Sequence, residues 1–235
     1  MSDIFTRTEM LLGTENMEKL KNAHIAVFGL GGVGGHTVEA LARSGIGHFT
    51  LFDSDMVAES NLNRQIIATV ETIGKQKTEA MKNRILSINP SAKIITHDIF
   101  YLPENADKFD LSEYSYIVDA IDTVSAKLEL VVRAQNLSVP IISSMGTGNK
   151  LDPTQLKVCD IYQTSGCPLA RVMRRELKCR GVKKLKVVFS EETPIKPLFS
   201  ENPDAKKQSP GSPAVVPSVA GLIIASEVIK DICGI

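Results

Sequence analysis

The sequence predicts an α/β protein with a Rossmann-like, doubly wound, mostly parallel sheet and a smaller C-terminal lobe. Short apolar runs typical of buried strands alternate with helical patterns from residue 24 to about 146, and a glycine-rich turn follows the first run. Past Gly148 the alternation changes. We therefore divide the chain into an N-terminal helical arm (1–22), a Rossmann-like domain (23–153) and a C-terminal lobe (154–235).

The elements follow one another with clear punctuation. A polar helix is expected near 15–21, and Gly45 and Gly47 end the helix that follows the first strand. Asn89-Pro90 closes the next helix. The strands of the parallel part are predicted at 24–28, 49–53, 92–100, 115–122 and 140–146, with helices at 33–43, 75–88 and 126–137.

The expected C-terminal lobe contains strands at 155–161 and 186–190 and a helix at 168–179. The segment 194–213 is rich in Pro, Ser and Lys, and we expect a flexible loop there. Polar residues interrupt the apolar stretch 215–235, which indicates a packed amphipathic helix rather than a membrane span.

Composition excludes several classes of protein. With 27 basic and 27 acidic residues the formal net charge is zero, so any contact with nucleic acid has to be local. The four cysteines form no C-x-x-C pair, which argues against a zinc knuckle or a disulfide framework. The N-terminus has no apolar core of signal-peptide type, and we expect a cytoplasmic protein with reduced thiols and no stable membrane insertion.

The turn after the first strand has the pattern G-x-G-x-x-G and opens directly into a helix. Gly29 permits the tight turn, Gly31 lets the backbone approach phosphate, and Gly34 lets the helix pack on the strand. Asp53 and Asp55 follow the second strand, where a carboxylate can accept ribose hydroxyls. Alone, this motif favours a dinucleotide-binding dehydrogenase, with plain turn glycines as the alternative.

The next segments favour a triphosphate. Asn61, Asn63 and Arg64 lie in the run SNLNRQ, and Lys77 starts the following helix. ATP carries more phosphate charge than a dinucleotide and needs cationic partners and magnesium, which Asp122 after the fourth strand can hold. Taken singly, Arg64 could form a surface salt bridge, Lys77 could be a solvated helix residue, and Asp122 could be a helix cap. An NAD-dependent oxidoreductase and a non-catalytic binding module have no use for the set.

In order and spacing, the segments GLGGVGGHTVEALARSGIGHFTLFDSD, SNLNRQ, GKQK and DAID resemble the adenylating fold of ubiquitin-activating enzymes and their bacterial relatives. The resemblance implies ATP, Mg²⁺ and a homodimer, with a carboxylate joined to AMP. It also implies roles for matching residues: Gly31 and Gly32 at the triphosphate, Asp53 at the ribose, Asn61 and Arg64 at the phosphates, Lys77 near the α-phosphate, and Asp122 at the magnesium.

Later segments, among them SSMGTGNKLDPTQLKVCDIYQT and VPSVAGLIIASEVI, resemble the threonylcarbamoyladenosine dehydratases, the branch that acts on tRNA. This likeness implies adenylation of the threonyl carboxylate and its cyclisation. The alternative is activation of the C-terminus of a ubiquitin-like sulfur carrier, whose enzymes commonly bear the two C-x-x-C pairs that are missing here. Sulfur-carrier or cysteine-desulfurase-type accessory proteins are further partners to consider. Cys167 stands where the branch tends to have Asp, and we assign no thiol a role.

Two further features bear on a tRNA substrate. Eight basic residues fall between 171 and 186 against one acid, Glu176, and such a patch can hold an RNA backbone, although a solvated helix face is the alternative. Arg7, in FTRTEM ahead of the first expected helix, matches a position from which relatives extend an arginine toward the partner subunit's ATP; an ordinary surface arginine is the alternative. The predicted RNA-binding residues are Arg171, Arg174, Arg175, Lys178 and Arg180.

Overall fold

A computed structural model describes residues 4–199 and 210–235, which form seven strands in one sheet with helices on both faces. The strands are β1 (His24–Phe28), β2 (His48–Phe52), β3 (Lys93–His97), β4 (Tyr116–Asp119), β5 (Ile141–Ser144), β6 (Leu156–Asp160) and β7 (Lys186–Ser190). The helices are α1 (Thr6–Leu12), α2 (Thr14–Asn22), α3 (Gly34–Arg43), α4 (Lys77–Ile88), α5 (Val124–Asn136), α6 (Pro168–Cys179) and α7 (Val215–Cys233).

The sheet has the order β3-β2-β1-β4-β5-β7-β6, and only the edge strand β6 runs antiparallel. The chain order reverses between β1 and β4, and ligands of open α/β sheets bind outside the carboxyl ends of the strands at such a point. Phe28, the last residue of β1, is in register with Phe52 of β2 and with Asp119 of β4. The ends of these three strands therefore meet at one edge.

Apolar side chains form a core on each face of the sheet. On one face, β1 and β2 pack against α2, α3, α4 and α7; on the other, the strands pack against α5 and α6. The close approach of α7 to α3 requires a glycine, because a Cβ on Gly221 would lie 2.4 Å from the Val33 carbonyl oxygen. The Thr37 hydroxyl donates a hydrogen bond of 3.0 Å to the Gly221 carbonyl at the same crossing.

The predicted fold class is confirmed, and each strand and helix that the sequence indicates is present, some with the predicted ends and others with ends shifted by a few residues. One shift matters for the site: the fourth strand ends at Asp119, so Asp122 lies in the following loop. The prediction that Arg7 precedes the first helix is wrong, because Arg7 lies inside α1. Part of the expected loop 194–213, residues 200–209, lies outside the described residues.

The strands of the expected C-terminal lobe continue the main sheet. β7 pairs in parallel with β5, β6 pairs with β7, and α7 returns to pack on α3. The sheet thus runs without a break across residue 153, and the domain division there stays a prediction. Across residues 4–199 and 210–235, no helix combines the length and apolar character needed to span a membrane.

Two histidines stack at the amino-terminal edge of the sheet, opposite the strand ends that meet at the switch point. The rings of His24 and His48 lie with centroids 3.6 Å apart and nearly parallel, and the His24 Nε2 is 2.8 Å from the Thr50 hydroxyl. Burial, followed by the charge of His48, lowers the pKa of His24 from 6.5 to about 4. The folded state therefore favours neutral His24.

Candidate nucleotide-binding and active site

A cavity of about 420 Å³ opens at the carboxyl edge of the sheet, where β1, β2 and β4 end. Its volume is within the range of small-molecule sites. It lies at the point where the order of the strands reverses, as expected for a ligand site in this fold. Nine predicted site residues line it: Gly29, Gly31, Gly32, Asp53, Asp55, Asn61, Arg64, Lys77 and Asp122. Their roles as ligands stay predictions.

The glycine loop is fitted between the helix that follows it and the loop after β4. Gly29 has φ +92°, and a Cβ there would lie 2.7 Å from the Ala120 carbonyl oxygen. A Cβ on Gly34 would lie 1.8 Å from the Gly29 carbonyl oxygen. A Cβ on Gly31 would meet nothing closer than the Gln65 Nε2, 3.9 Å away. Gly29 and Gly34 are thus required by packing, whereas Gly31 leaves open space in the cavity.

Asp53 joins the end of β2 to the glycine loop. Its carboxylate accepts a hydrogen bond of 2.7 Å from the Leu30 N–H and one of 2.9 Å from the Asp55 N–H. Burial raises the pKa of Asp53, and the charge of Lys77 together with both N–H donors acts against that rise. A carboxylate held this way presents its remaining acceptor capacity to the cavity, as a ribose requires.

Lys77 lies at the start of α4 and is almost fully buried. Its Nζ is 2.7 Å from the Asp55 Oδ2 and 3.9 Å from the Asp53 Oδ1. Both carboxylates lie on the cavity wall, so the ammonium group is placed between them and a bound ligand can share or replace these contacts. A phosphate next to this ammonium would gain a charge-assisted hydrogen bond.

The crossover segment 58–66 supplies amides and a guanidinium to the cavity lining. Asn61 is buried, and its Oδ1 accepts from the Ala58 N–H at 3.2 Å, which holds the 3₁₀ turn Glu59–Asn61. Arg64 donates to the Ser60 carbonyl and to the Asn63 Oδ1, both at 2.9 Å. Its guanidinium is thereby held beside the cavity with further donors available.

Two predicted cofactor contacts have other partners. Asn63 donates through Nδ2 to the Ser212 carbonyl at 2.9 Å, and so fastens the crossover segment to the segment before α7. Gly34 packs against Gly29 and is not part of the cavity lining. Both residues shape the site, and direct contact of either with a cofactor stays a prediction.

Asp122 is exposed in the loop between β4 and α5, where its Oδ1 accepts from the Thr123 hydroxyl at 3.2 Å. Beneath this loop lies a fully buried ion pair that the sequence reasoning missed, between Asp119 and Lys127 at 2.9 Å. The signal was present, because DAID contains both aspartates and an inward-facing lysine follows on α5. A lysine on an apolar helix face looks like any solvated residue until its partner is known.

Two other missed residues line the cavity and have buried polar atoms without a partner in the described part of the chain. The Gln65 Oε1 and the Tyr101 hydroxyl have no hydrogen-bond partner among the described residues, and both side chains line the cavity. Buried polar atoms are normally paired, so a ligand in the cavity could supply the partner of the Gln65 Oε1. The charges that act on the Tyr101 hydroxyl are those of Arg133, Glu129 and Asp107, which do not line the cavity. Neither residue type is distinctive enough in a sequence to be selected without the structure.

Another part of the cavity lining consists of Thr147 and Gly148 after β5, together with Pro210, Ser212 and Pro217. Asn149 fastens the two parts: its N–H donates to the Gly211 carbonyl at 2.6 Å, and its Oδ1 accepts from the Gly211 N–H at 2.7 Å. Asn149 has φ +59°, a conformation that asparagine tolerates better than most residues.

The predicted RNA-binding residues do not form one uniform patch. Arg174 is half-buried and donates to the Thr164 carbonyl at 2.8 Å, and Arg180 pairs with Glu176 at 2.8 Å. Arg171, Arg175 and Lys178 are exposed at helical spacings of four and three, and they form a basic stripe along α6. Arg175 also contacts Glu176 at 2.9 Å. The basic stripe starts near the cavity, since α6 begins beside Gly146, one residue before the cavity wall.

Arg7 is exposed on α1 and does not line the cavity. The cysteines are unpaired: Cys167 and Cys233 are buried, Cys159 is half-buried, and Cys179 is exposed. Among the described residues, no three His, Cys, Asp or Glu side chains lie close enough together to hold a metal by themselves.

The glycine loop, the carboxylates after β2 and the cations facing them define a nucleotide-binding α/β protein. This chain belongs to the ThiF family, which it matches over residues 5–235. It is similar to the tRNA threonylcarbamoyladenosine dehydratase of Bacillus subtilis (strain 168), with 42% identity over 97% of this chain and 94% of the relative. The predicted family is therefore confirmed.

Two comparisons with Escherichia coli agree. The tRNA threonylcarbamoyladenosine dehydratase of strain K12 is 36% identical over 92% of this chain and 84% of its own length. The crystal structure of the E. coli dehydratase TcdA in complex with ATP matches this fold with a TM-score of 0.89 at 36% identity, covering 98% of this chain and 93% of that one. The E. coli protein has also been solved in complex with AMP.

Proposed function

We propose that this protein is an ATP-dependent tRNA threonylcarbamoyladenosine dehydratase, which adenylates the threonyl carboxylate of the modified adenosine and cyclises it. One observation carries the proposal: Arg64, Lys77 and Asp122 converge on a single cavity above the glycine loop. A dinucleotide, whose phosphates the loop itself holds, would leave these charges without a purpose. The relatives of that name match nearly the whole chain and support the tRNA substrate.

In the proposed reaction, a carboxylate oxygen of the threonyl group attacks the α-phosphate of ATP, and the bond to pyrophosphate breaks. A nitrogen or oxygen of the carbamoyl group then attacks the activated carbonyl carbon, and AMP leaves with the bonding electron pair. The cyclic product differs from the substrate by the loss of one water, and the conversion of ATP to AMP and pyrophosphate drives that loss. AMP is a good leaving group, so the site needs charge neutralisation and alignment more than a strong base.

The residues of this chain fit those needs. Lys77 and Arg64 would neutralise the phosphates, and Asp53 would hold the ribose hydroxyls. Mg²⁺, bound by Asp122 and phosphate oxygens, would neutralise charge on the departing pyrophosphate; a single carboxylate with phosphates is an ordinary magnesium environment. Asp122 suits this role because it is exposed at the cavity and, within residues 4–199 and 210–235, its one hydrogen-bond partner is the Thr123 hydroxyl at 3.2 Å.

The basic stripe is proposed to hold the RNA backbone. It runs from the cavity edge away along α6, and Lys183 and Lys184 continue the exposed basic surface beyond the helix. Phosphate contacts of this kind position an RNA without reading its sequence. A tRNA substrate also makes a cytoplasmic location the expected one, in keeping with reduced thiols.

A homodimer is proposed on two grounds. α1 exposes Met10 and Leu11 almost completely, and such side chains are commonly covered by a partner. Arg7 lies about one turn before them and is not among the residues that line the cavity, which suits a role in the partner's site. Mixing Arg7→Ala and Lys77→Met subunits tests this, because in a mixed dimer one site would keep both residues.

Random mixing should restore about a quarter of wild-type turnover, since half of the dimers are mixed and half of their sites are intact. Each variant alone should be nearly inactive. If Arg7 acts within its own subunit, mixing restores nothing. An active Arg7→Ala variant would remove the residue from the mechanism altogether.

Pyrophosphate exchange into ATP tests the proposed function itself. The purified protein is incubated with ATP, Mg²⁺ and labelled pyrophosphate, with no further addition, with tRNA bearing threonylcarbamoyladenosine, or with the same tRNA lacking the modification. Exchange that needs the modified tRNA supports the proposal. Exchange with a ubiquitin-like carrier protein and none with tRNA would establish the rival function.

A further inference from the structure

We propose that the buried pair Asp119–Lys127, together with Ser143, positions Asp122 for its role at the nucleotide. The proposal rests on the function proposed above, in which Asp122 holds Mg²⁺. The side chains of Asp119 and Lys127 are both 0% exposed, and the Lys127 Nζ lies 2.9 Å from the Asp119 Oδ2. The three residues come from β4, α5 and β5, so the pair lies where these elements meet below the cavity.

The pair holds both backbone polar groups of one loop residue, Ile121, and so contacts the peptide units on either side of it. The Lys127 Nζ donates to the Ile121 carbonyl at 3.1 Å, and the Asp119 Oδ1 accepts from the Ile121 N–H at 3.2 Å. The Ser143 hydroxyl donates to the other carboxylate oxygen at 2.6 Å. Ile121 directly precedes Asp122, so the path of the backbone into Asp122 is determined by these contacts.

The other side of the loop rests on the glycine loop. Ala120 donates to the Phe28 carbonyl at 2.8 Å, and its own carbonyl lies so close to Gly29 that no Cβ would fit there. The residues 120–122 are therefore clamped between the phosphate-binding turn and the buried pair. A displacement of Ile121 would change the distance from Asp122 to any phosphate held by that turn.

Stability alone does not account for charges at this depth. Two charges removed from water lose hydration that their attraction barely repays, and apolar residues of similar volume usually stabilise a core equally well. An ion pair does differ from an apolar pair in one respect: it holds named backbone groups in fixed directions. That property is what a metal-binding carboxylate at the end of a short loop requires.

The test compares Asp119→Asn, Lys127→Met and the double variant with wild type. Each single change leaves an uncompensated or unpaired buried group and is expected to lower the unfolding midpoint strongly. The double variant removes both charges and should unfold near the wild-type midpoint. Its turnover should nevertheless fall on the order of 100-fold, because a small displacement of a reacting group has effects of that size.

Two measurements separate positioning from a general structural role. Calorimetry of ATP binding should show wild-type affinity for ATP in EDTA but roughly tenfold weaker binding of Mg·ATP, a difference of about 1.4 kcal/mol. In an Asp122→Ala background, the double variant should cause no further loss of turnover, because residues that act through one another are not additive. The calorimetric result does not depend on tRNA, so it stands or falls apart from the proposed function.

The control neutralises an ion pair at the opposite edge of the sheet. Lys186 contacts Asp231 at 2.7 Å between β7 and α7. Lys186→Met with Asp231→Asn should leave Mg·ATP affinity unchanged. The proposal is overturned if the Asp119/Lys127 double variant binds Mg·ATP as wild type does, or if it loses the same factor of turnover with Asp122 already removed.

Discussion

The glycine loop offers two alanine substitutions with opposite expected outcomes. At Gly31 a Cβ would have a single neighbour, the Gln65 Nε2 at 3.9 Å, which is an ordinary contact distance. At Gly34 a Cβ would lie 1.8 Å from the Gly29 carbonyl oxygen, and both atoms belong to the backbone. The same methyl group therefore enters a ligand space at one position and a packed interface at the other.

The magnitudes follow from these distances. Gly31→Ala should change the free energy of unfolding by less than about 1 kcal/mol, and should favour the folded state, because alanine restricts the unfolded chain. It should weaken ATP binding roughly 10- to 150-fold, the equivalent of one lost hydrogen bond to a charged group at about 1.5–3 kcal/mol. Gly34→Ala should destabilise the fold by about 3 kcal/mol or more, at the upper end of overpacking costs.

Urea unfolding and calorimetric titration with ATP measure both quantities on the same preparations. The reasoning is refuted if Gly31→Ala binds ATP with wild-type affinity, since the backbone would then not approach phosphate at this turn. It is equally refuted if Gly34→Ala is as stable as wild type.

Three further predictions concern single features. His24→Gln should make the free energy of unfolding less dependent on pH in the acid range. The pKa of His24 is about 4 in the folded state against 6.5 in the unfolded state. The contribution of neutral His24 to stability is therefore complete above pH 6.5 and is lost as the pH falls toward 4. The full pKa shift corresponds to about 3.4 kcal/mol, which we reduce to about 1–2 kcal/mol because the ring is partly solvated. Urea unfolding at pH 7.5 and 4.5 measures the loss of stability in each protein. Parallel pH profiles for the wild type and the variant would contradict the prediction. Lys77→Met should retain the fold and lower the single-turnover rate of adenylation on the order of 100-fold or more, because it removes a buried ammonium group at the phosphates. A wild-type rate in this variant would exclude Lys77 from the chemistry. Replacing all three residues of the basic stripe by glutamine should reduce the magnitude of the slope of log affinity for tRNA against log salt by about 2–3. As a control, glutamines at Lys19 and Lys21 on α2 should leave this slope unchanged. A stripe variant with the wild-type slope would place the RNA elsewhere.

Most of the fold could be predicted from the sequence because the signals that mark the strands and helices are local. The boundaries of β1, β7 and α6 agree with the structure to the residue, since glycines, Cys167-Pro168 and compact apolar runs mark their ends. The position of β6 and β7 was not predictable in the same way. An edge strand and a central strand have similar compositions, so only the pairing of β7 with β5 shows that both continue the main sheet.

The candidate site divides along a similar line. Residues in tight motifs, such as Gly29 and Asp53, lie where the sequence indicated, because a strand end and a turn fix their place directly. Asp119 and Lys127 were missed because their significance is a contact between two elements. Arg174 was assigned to RNA because charge is visible in a sequence, but its bond to the Thr164 carbonyl is not.

The central claim is tested most directly by analysing the tRNA after reaction. Purified protein is incubated with ATP, Mg²⁺ and tRNA bearing threonylcarbamoyladenosine; the nucleosides are then separated by mass, and AMP is quantified alongside. The account predicts a nucleoside lighter by one water, formed in a 1:1 ratio with AMP and abolished by Lys77→Met. An unchanged nucleoside, or a lighter one formed without AMP, would contradict it.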